Sequence, residues 1–186
     1  MEKEARSQIY AFLSRVMADV LDLEAVKELK SNRELLSVLG EGSVAYFDSK
    51  DAETLQEELN VDFTSVFIMN SHPVEQAVVD NSDQTLIGLE NPVMQFYRNY
   101  GYQVNLNATH VMAPDHISIE LGFMQNLVER EEFQGQEKFL RNHLMVWMPP
   151  YFLGVKGMAE TPFYRELCDF AAEFLVSDYA ALKEGR

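Results

Sequence analysis

The chain has 186 residues, of which 47% are hydrophobic, and 30 acidic against 15 basic side chains give a formal net charge of -15. This length and apolar content fit one folded domain with a substantial core and argue against wholesale disorder. The negative charge disfavours nucleic acid and anionic membrane surfaces as partners, although acidity alone also serves solubility.

Targeting features point to the cytoplasm. No apolar run reaches the about 18 to 20 residues that cross a bilayer. The N-terminus lacks the order of basic, apolar and small residues that a signal peptide shows. A single cysteine, Cys168, cannot form an internal disulfide. We therefore expect a cytoplasmic protein.

The first third of the chain has helical periodicity. Its opening helix should bury the stripe Ile9, Phe12, Leu13, Val16 and Val20. Asp22 is expected to cap a short helix through Leu29, and another short helix should stop at Gly40. A longer helix should begin after Asp51 and end before Pro73.

The remainder combines helices with two stretches that lack periodicity, Ser71 to Glu90 and residues 102 to 113, which we predict to be loops. Between them Asn91 and Pro92 open a helix that ends at Gly101. Three further helices are predicted, namely Pro114 to about Glu132, Gln136 to about Met148, and Thr161-Pro162 to about Lys183. The fold prediction is all-α: a single-domain multi-helix bundle over residues 1–186, with possible seams at loops 71–90 and 102–113.

The segment PDHISIELGFM places polar residues at the start of an apolar helix. Pro114 fits the first helical position, and Asp115 complements the positive end of the helix dipole. On a helical wheel His116 and Glu120 fall in the apolar arc around Ile117, whereas Asp115 points to the polar side. We expect an exposed Asp115 and a semi-buried His116 and Glu120, which bond each other or reach an adjacent segment. Taken by itself, the three-residue pattern is more typical of an ordinary helix start, which stays open as the alternative.

Catalytic chemistry has little support in the sequence. His116 and Glu120 offer two metal ligands on one helix, and HExxH, GxSxG, P-loop and GxGxxG motifs are absent. Cys168 lies at helical spacing, where a thiol behaves as a small buried hydrophobe. The alternative that stays open is a small helical metal- or nucleotide-binding enzyme using Asp115, His116 and Glu120.

Three segments in order resemble the motifs of one family. They are DFTSVFIMNSHPVEQAVV, in which an aromatic-aliphatic-Phe pattern precedes Pro and Glu, then APDHISIELGFM, then FLRNHLMVWMPPYF. In this combination the chain resembles the TorD/DmsD/NarJ family of cytoplasmic chaperones for molybdenum-containing oxidoreductases. The resemblance spans about residues 62 to 152.

The resemblance implies an all-helical protein that is not an enzyme and has no cofactor of its own. Its expected partners are the catalytic subunit of a molybdopterin-dependent oxidoreductase and its twin-arginine signal peptide. Nucleic acid and direct membrane insertion are not expected, and the chain would be a monomer or dimer. The implied peptide-binding residues are Phe63, Val66, Phe67, Pro73, Glu75, Pro114, Asp115, His116, Ile117 and Glu120.

The third motif falls on His143, Trp147, Pro149 and Phe152, for which we expect a structural role first. Two departures from the family pattern stand out. Phe63 replaces a common Tyr or Trp, and residues 111–113 lack an acidic residue that many relatives have there.

These expectations combine into one binding hypothesis. The apolar stretch of a signal peptide would lie in a groove lined by Val66, Phe67 and Ile117, while Asp115 and Glu75 receive its arginines. His116 would orient the loop rather than transfer protons. Two alternatives stay open: the stripe that contains Phe63 and Phe67 is core rather than groove, and Glu75 is only a solvated charge.

Overall fold

The computed structural model describes residues 2–80, 90–104 and 113–184. Within these ranges the regular structure is helical, apart from one isolated antiparallel bridge between Val74 and His116. The all-α prediction is confirmed. The helices are α1 (Lys3–Val16), α2 (Leu23–Ser31), α3 (Arg33–Leu39), α4 (Glu41–Asp48), α5 (Ala52–Phe63), α6 (Glu75–Val79), α7 (Pro92–Asn99), α8 (Ile117–Glu129), α9 (Phe133–Phe139), α10 (Met145–Val155) and α11 (Pro162–Glu184).

The chain divides into two compact units. Unit 1 comprises Met1–Asp19, Pro73–Pro149 and Leu175–Arg186, and unit 2 comprises Val20–His72 and Pro150–Phe174. The Asp-His motif therefore belongs to unit 1, as do Pro73 and Glu75 at the end of the first motif. The aromatic-aliphatic-Phe pattern of the first motif belongs to unit 2.

The predicted helix starts are confirmed by their caps. The carboxylate of Asp22 accepts a hydrogen bond from the Ala25 N–H at 2.8 Å, and that of Asp51 accepts one from the Thr54 N–H at 2.8 Å. The Asn91 side chain caps α7 in the same way. Short polar side chains at these positions satisfy backbone donors that a helix leaves unpaired.

Helix α4 was not predicted, because its cap comes from a distant part of the chain. The Glu166 carboxylate accepts hydrogen bonds from the N–H groups of Gly42 at 2.9 Å and Ser43 at 2.6 Å. A Cβ on Gly40 would lie 2.3 Å from the Glu166 carboxyl carbon. A side chain at position 40 would therefore displace the Glu166 carboxylate from its cap on α4.

The core of unit 1 forms where α1 packs along α8. Helix α1 buries Arg6, Tyr10, Leu13 and Val16, whereas Ile9 and Phe12 are half-buried and Val20 is 37% exposed. The predicted stripe was therefore only partly right. It counted apolar residues alone and missed a buried polar network.

That network joins α1, α9 and α11 within unit 1. The Arg6 guanidinium donates to both oxygens of Asp178, at 2.6 and 2.9 Å, and to Gln136 Oε1 at 2.9 Å. The Tyr10 hydroxyl donates to the same Asp178 carboxylate at 2.8 Å. A buried arginine is tolerated here because its charge and its donors are matched.

The core of unit 2 contains the aromatic residues of the first motif. Helix α5 continues as a π-helical segment, Thr64–Met69. The rings of Phe63 and Phe67 lie 5.2 Å apart and 6.0 and 5.5 Å from the ring of Tyr164. The stripe that contains Phe63 and Phe67 is therefore part of the core and does not line a groove.

The helix predicted from Gln136 to about Met148 is longer and less regular. Helix α9 leads through a π-helical segment, Leu140–Leu144, into α10, which continues past Pro149 and Pro150 to Val155. Proline lacks a backbone donor, but its φ is compatible with a helix, so α10 loses hydrogen bonds without ending. The C-terminal helix begins at Pro162, as predicted.

The two predicted loops are described only in part. The first contains the short helix α6 and otherwise falls on residues 81–89, which lie outside the described residues. The second falls on residues 105–112, also outside them. None of the described helices combines the length and apolar character needed to cross a bilayer.

Candidate functional site

The Asp-His motif lies immediately before α8, and the predicted start at Pro114 was wrong. Helix α8 begins at Ile117 with His116 as its N-cap: the Ser118 N–H donates to His116 Nδ1 at 3.2 Å. Burial lowers the pKa of His116 to about 4, so the ring is neutral at physiological pH. An imidazole nitrogen thus replaces the usual Ser, Thr, Asp or Asn cap.

Two predicted motif segments pair through their backbones. The Ile117 N–H donates to the Pro73 carbonyl at 2.8 Å, and the Glu75 N–H donates to the Asp115 carbonyl at 3.0 Å. Pairing with Pro73 and Glu75 accounts for the extended backbone just before α8. Seven of the ten predicted residues lie in unit 1, namely Pro73, Glu75, Pro114, Asp115, His116, Ile117 and Glu120, and the paired segments contain all of them except Glu120.

Asp115 is buried at 1% exposure, which corrects the prediction that it is exposed. It precedes the helix, so the helical wheel does not apply to it. Its Oδ2 accepts a hydrogen bond from the Gln76 N–H at 3.0 Å, whereas its Oδ1 has no partner among the described residues. Burial raises the pKa of Asp115, and the hydrogen bond from Gln76 opposes the shift.

A cavity of about 170 Å³ adjoins this carboxylate in unit 1. Its wall contains three carboxylates, so it suits a cationic group of modest size. The lining residues are Glu75, Gln76, Val79, Asp80, Asn91, Pro92, Val93 and Asp115.

Glu75 is paired rather than solvated, contrary to one of the two alternatives. His143 Nδ1 lies 2.9 and 3.1 Å from the two oxygens of the Glu75 carboxylate. The side chains are 5% and 15% exposed, respectively. The rings of Phe96 and Phe139 lie 5.0 Å from the His143 ring and limit its movement. His143 therefore fixes the orientation of Glu75 at the cavity.

Glu120 lies behind this pair and is fully buried. Trp147 Nε1 donates to Glu120 Oε2 at 3.3 Å, and Oε1 has no partner within the part of the chain that the structure describes. Glu120 thus reaches an adjacent segment instead of bonding His116. Burial, followed by repulsion from Glu75, raises the pKa of Glu120 well above its ordinary value.

The apolar residues predicted to line a groove are core residues. In unit 2, Phe63 and Phe67 are 3% exposed and Val66 is fully buried; in unit 1, Ile117 is fully buried. The groove prediction fails for these side chains because the same periodicity that marks an apolar face also marks a core-facing one.

The enzyme alternative gains no support. Over the described ranges, no group of three or more His, Cys, Asp and Glu side chains could hold a metal ion. Cys168 is buried as predicted, and burial raises the pKa of its thiol to about 12, which disfavours the nucleophilic thiolate.

Sequence reasoning gave His143 and Trp147 a structural role and missed their contacts with Glu75 and Glu120. It predicted Asn91 at the start of α7 and overlooked its position in the cavity wall. The spacing of four between His143 and Trp147 was the available signal, since it puts two polar groups on one face of a helical segment.

Comparisons with known proteins agree with the motifs. A family model described as nitrate reductase delta subunit matches residues 24–152. Chaperone protein TorD of Vibrio parahaemolyticus is 25% identical, over 96% of this chain and 95% of that protein. TorD of Vibrio vulnificus is 26% identical, over 95% and 94%. The perchlorate reductase assembly chaperone protein of Dechloromonas aromatica is 26% identical, over 92% and 87%.

The family model covers well over half of the chain and nearly all of the region that carries the three motifs. The chain therefore belongs to the nitrate reductase delta subunit family, to which the TorD/NarJ resemblance pointed.

Proposed function

We propose that the chain is a cytoplasmic chaperone for a molybdenum-containing oxidoreductase. It binds the enzyme precursor, through the twin-arginine signal peptide or the apo catalytic subunit, and assists cofactor insertion before assembly or export. Family membership supports this proposal, as do the relatives named chaperone and assembly chaperone. The observation that carries the site is the buried Asp115 carboxylate, which has one unpartnered oxygen beside an acidic cavity.

A guanidinium group fits the chemistry of this cavity. An unpartnered oxygen of a buried carboxylate costs free energy that a donor can recover. Guanidinium presents five N–H donors in a planar fork and carries a positive charge that complements the carboxylates of Asp115 and Glu75. In this proposal both carboxylates contact the peptide, and the net charge of -15 raises the rate of encounter with a basic segment.

The other motif residues shape the site without contacting the arginine. The paired backbones of Pro73 to Glu75 and Asp115 to Ile117 fix the two carboxylates, with Pro114 and the His116 cap completing the turn. Glu120 acts through Glu75. Phe63, Val66 and Phe67 support the core of unit 2.

Calorimetric titration of the full chain tests this function. The ligand is a synthetic peptide with two adjacent arginines followed by an apolar stretch, compared with its double Arg→Lys version. We expect Asp115→Asn to weaken binding at least about tenfold, which is about 1.4 kcal/mol. The matched control is Asp48→Asn, which changes an exposed aspartate in unit 2.

A wild-type chain that binds neither the peptide nor the apo catalytic subunit would rule the proposal out. Equal affinity of Asp115→Asn and wild type would leave the function but remove Asp115 from the site.

A further inference from the structure

Three acidic side chains share a small buried region of unit 1, and two of them have an oxygen without a partner. The unpartnered atoms are Asp115 Oδ1 and Glu120 Oε1. The Glu75 carboxylate repels those of Asp115 and Glu120 electrostatically, and it also lines the cavity. Several neutral or weakly basic groups also face these carboxylates. His143 contacts Glu75, the Trp147 indole donates to Glu120, and Asn91 and the Gln76 N–H interact with Asp115. The Tyr97 hydroxyl donates to the Pro114 carbonyl at 3.0 Å.

These groups do not provide enough positive charge for three carboxylates. His143 Nδ1 hydrogen-bonds with the Glu75 carboxylate, at 3.1 and 2.9 Å from its two oxygens. Glu120 accepts a hydrogen bond from the neutral Trp147 indole, and its other side-chain neighbour is the Glu75 carboxylate, so none of its partners among the described residues is a cation. Neighbouring carboxylates in a region of low dielectric cannot all ionise without compensation, so one of them retains a proton.

We propose that the site takes up a cationic side chain in exchange for a proton. Glu120 retains the proton while the cavity is empty. When a positive group enters beside Glu75 and Asp115, Glu120 ionises and the proton passes to solvent. This inference rests on the proposed function, and it makes His143 and Glu120 positioning residues that act through Glu75.

The exchange has a defined dependence on pH. One released proton makes affinity rise with pH, by up to about tenfold per pH unit, while Glu120 is protonated in the free chain and ionised in the complex. Glutamine at position 120 cannot ionise but keeps an oxygen for the Trp147 N–H. Glu120→Gln should therefore bind the peptide with an affinity that changes little with pH.

Calorimetry with the same twin-arginine peptide measures the proton directly. Titrations in two buffers of different ionisation enthalpy, at one pH, give the number of protons released. We expect up to one proton from wild type and none from Glu120→Gln. The control is Glu129→Gln, which changes an exposed carboxylate at the other end of α8 and should release protons like wild type.

Trp147 provides a readout that needs no ligand. It is the single tryptophan of the chain, and its indole is fully buried and bonded to Glu120. Ionisation of Glu120 should alter its fluorescence, so emission of the free chain should titrate with pH in wild type and not in Glu120→Gln. If Glu120→Gln does not fold, Glu75→Gln serves instead. Removal of the Glu75 charge should make Glu120 ionise at lower pH, so the change in Trp147 emission should move to lower pH.

The outcomes separate the two proposals. Peptide binding with equal proton release in wild type and Glu120→Gln, or with no release in either, overturns the exchange and leaves the chaperone function. A Trp147 emission that is insensitive to pH in wild type overturns it as well. Absence of any peptide binding to wild type refutes the cation site of the proposed function, and the exchange fails with it.

Discussion

Buried carboxylates of unit 2 differ in their partners from Asp115 and Glu120, the two at the start of α8 in unit 1. In unit 2, Asp62 accepts hydrogen bonds from the N–H groups of Glu160 and Thr161, at 3.0 and 2.8 Å, and from the Thr161 hydroxyl at 2.6 Å. Glu166 caps α4 with both of its oxygens. In unit 1, Asp115 and Glu120 each retain an oxygen without a partner among the described residues.

This difference separates structural carboxylates from candidates for binding. A carboxylate whose oxygens all have partners stabilises the fold through several hydrogen bonds. A buried carboxylate with an unpartnered oxygen costs free energy that folding alone does not recover. The cavity adjoins Asp115, so this is the place where an added ligand would supply the missing donors.

The largest expected effect on stability comes from comparing the Asp→Asn substitution at position 62 in unit 2 with that at position 115 in unit 1. Asp62→Asn replaces an accepting oxygen with an amide that meets backbone N–H groups, and we expect the free energy of unfolding to fall by about 3 kcal/mol. Asp115→Asn keeps an oxygen for the Gln76 N–H and removes a buried charge, so we expect a change of at most about 1 kcal/mol. Urea unfolding monitored by circular dichroism measures both.

The control for this pair is Glu57→Gln, an exposed residue on the same helix as Asp62, which should change stability by less than about 0.5 kcal/mol. If Asp115→Asn destabilises as much as Asp62→Asn, Asp115 is a structural carboxylate and the contrast between the units fails.

A smaller effect concerns the His116 cap. Burial lowers its folded-state pKa from 6.5 to about 4, so the unfolded chain binds the proton more readily between these values. Stability from this group is present above pH 6.5 and lost as pH falls towards 4, by up to about 2 kcal/mol at about pH 5. His116→Asn retains a capping side chain without titrating, and it should lose less stability between about pH 7 and about pH 5. An identical loss in both proteins would contradict the burial of a neutral ring.

The smallest effect sharpens the contrast between Glu166 and Glu120. Glu166→Gln should cost about 1 kcal/mol, because one of its two oxygens is lost from the α4 cap. Burial raises the folded-state pKa of Glu120 above the ordinary 4.5, so the contribution of Glu120 to stability falls as the pH rises above 4.5. Glu120→Gln should therefore gain stability relative to wild type as the pH rises above 4.5. A constant difference would show that Glu120 does not retain its proton.

Local sequence signals predicted the helices and several of their ends. Asp22, Asp51 and Asn91 each cap a helix through a donor two or three residues ahead, so the whole signal is contained in a short window. Gly101 has a φ of +66° after α7, as expected for a glycine at a helix end. The apolar stripe at Phe63 and Phe67 was visible, but periodicity could not distinguish core from groove.

Long-range partners account for what the sequence could not reveal. The cap of α4 comes from Glu166, the partner of Glu75 is His143, and Asp115 is buried because its backbone pairs with Glu75. Each of these contacts joins residues at least 40 positions apart. Motif resemblance placed the segments in one family without showing which atoms meet.

The π-helical segment Leu140–Leu144 makes the register of α10 depend on one extra residue per turn. The wider turn absorbs that extra residue. Ordinary α-helical winding of the same five residues would instead rotate the start of α10 by about 100° about the helix axis. The indole of Trp147 would then face away from Glu120, with no residue lost and no side chain replaced. Backbone winding in this short segment, rather than composition alone, therefore sets which groups meet behind the cavity.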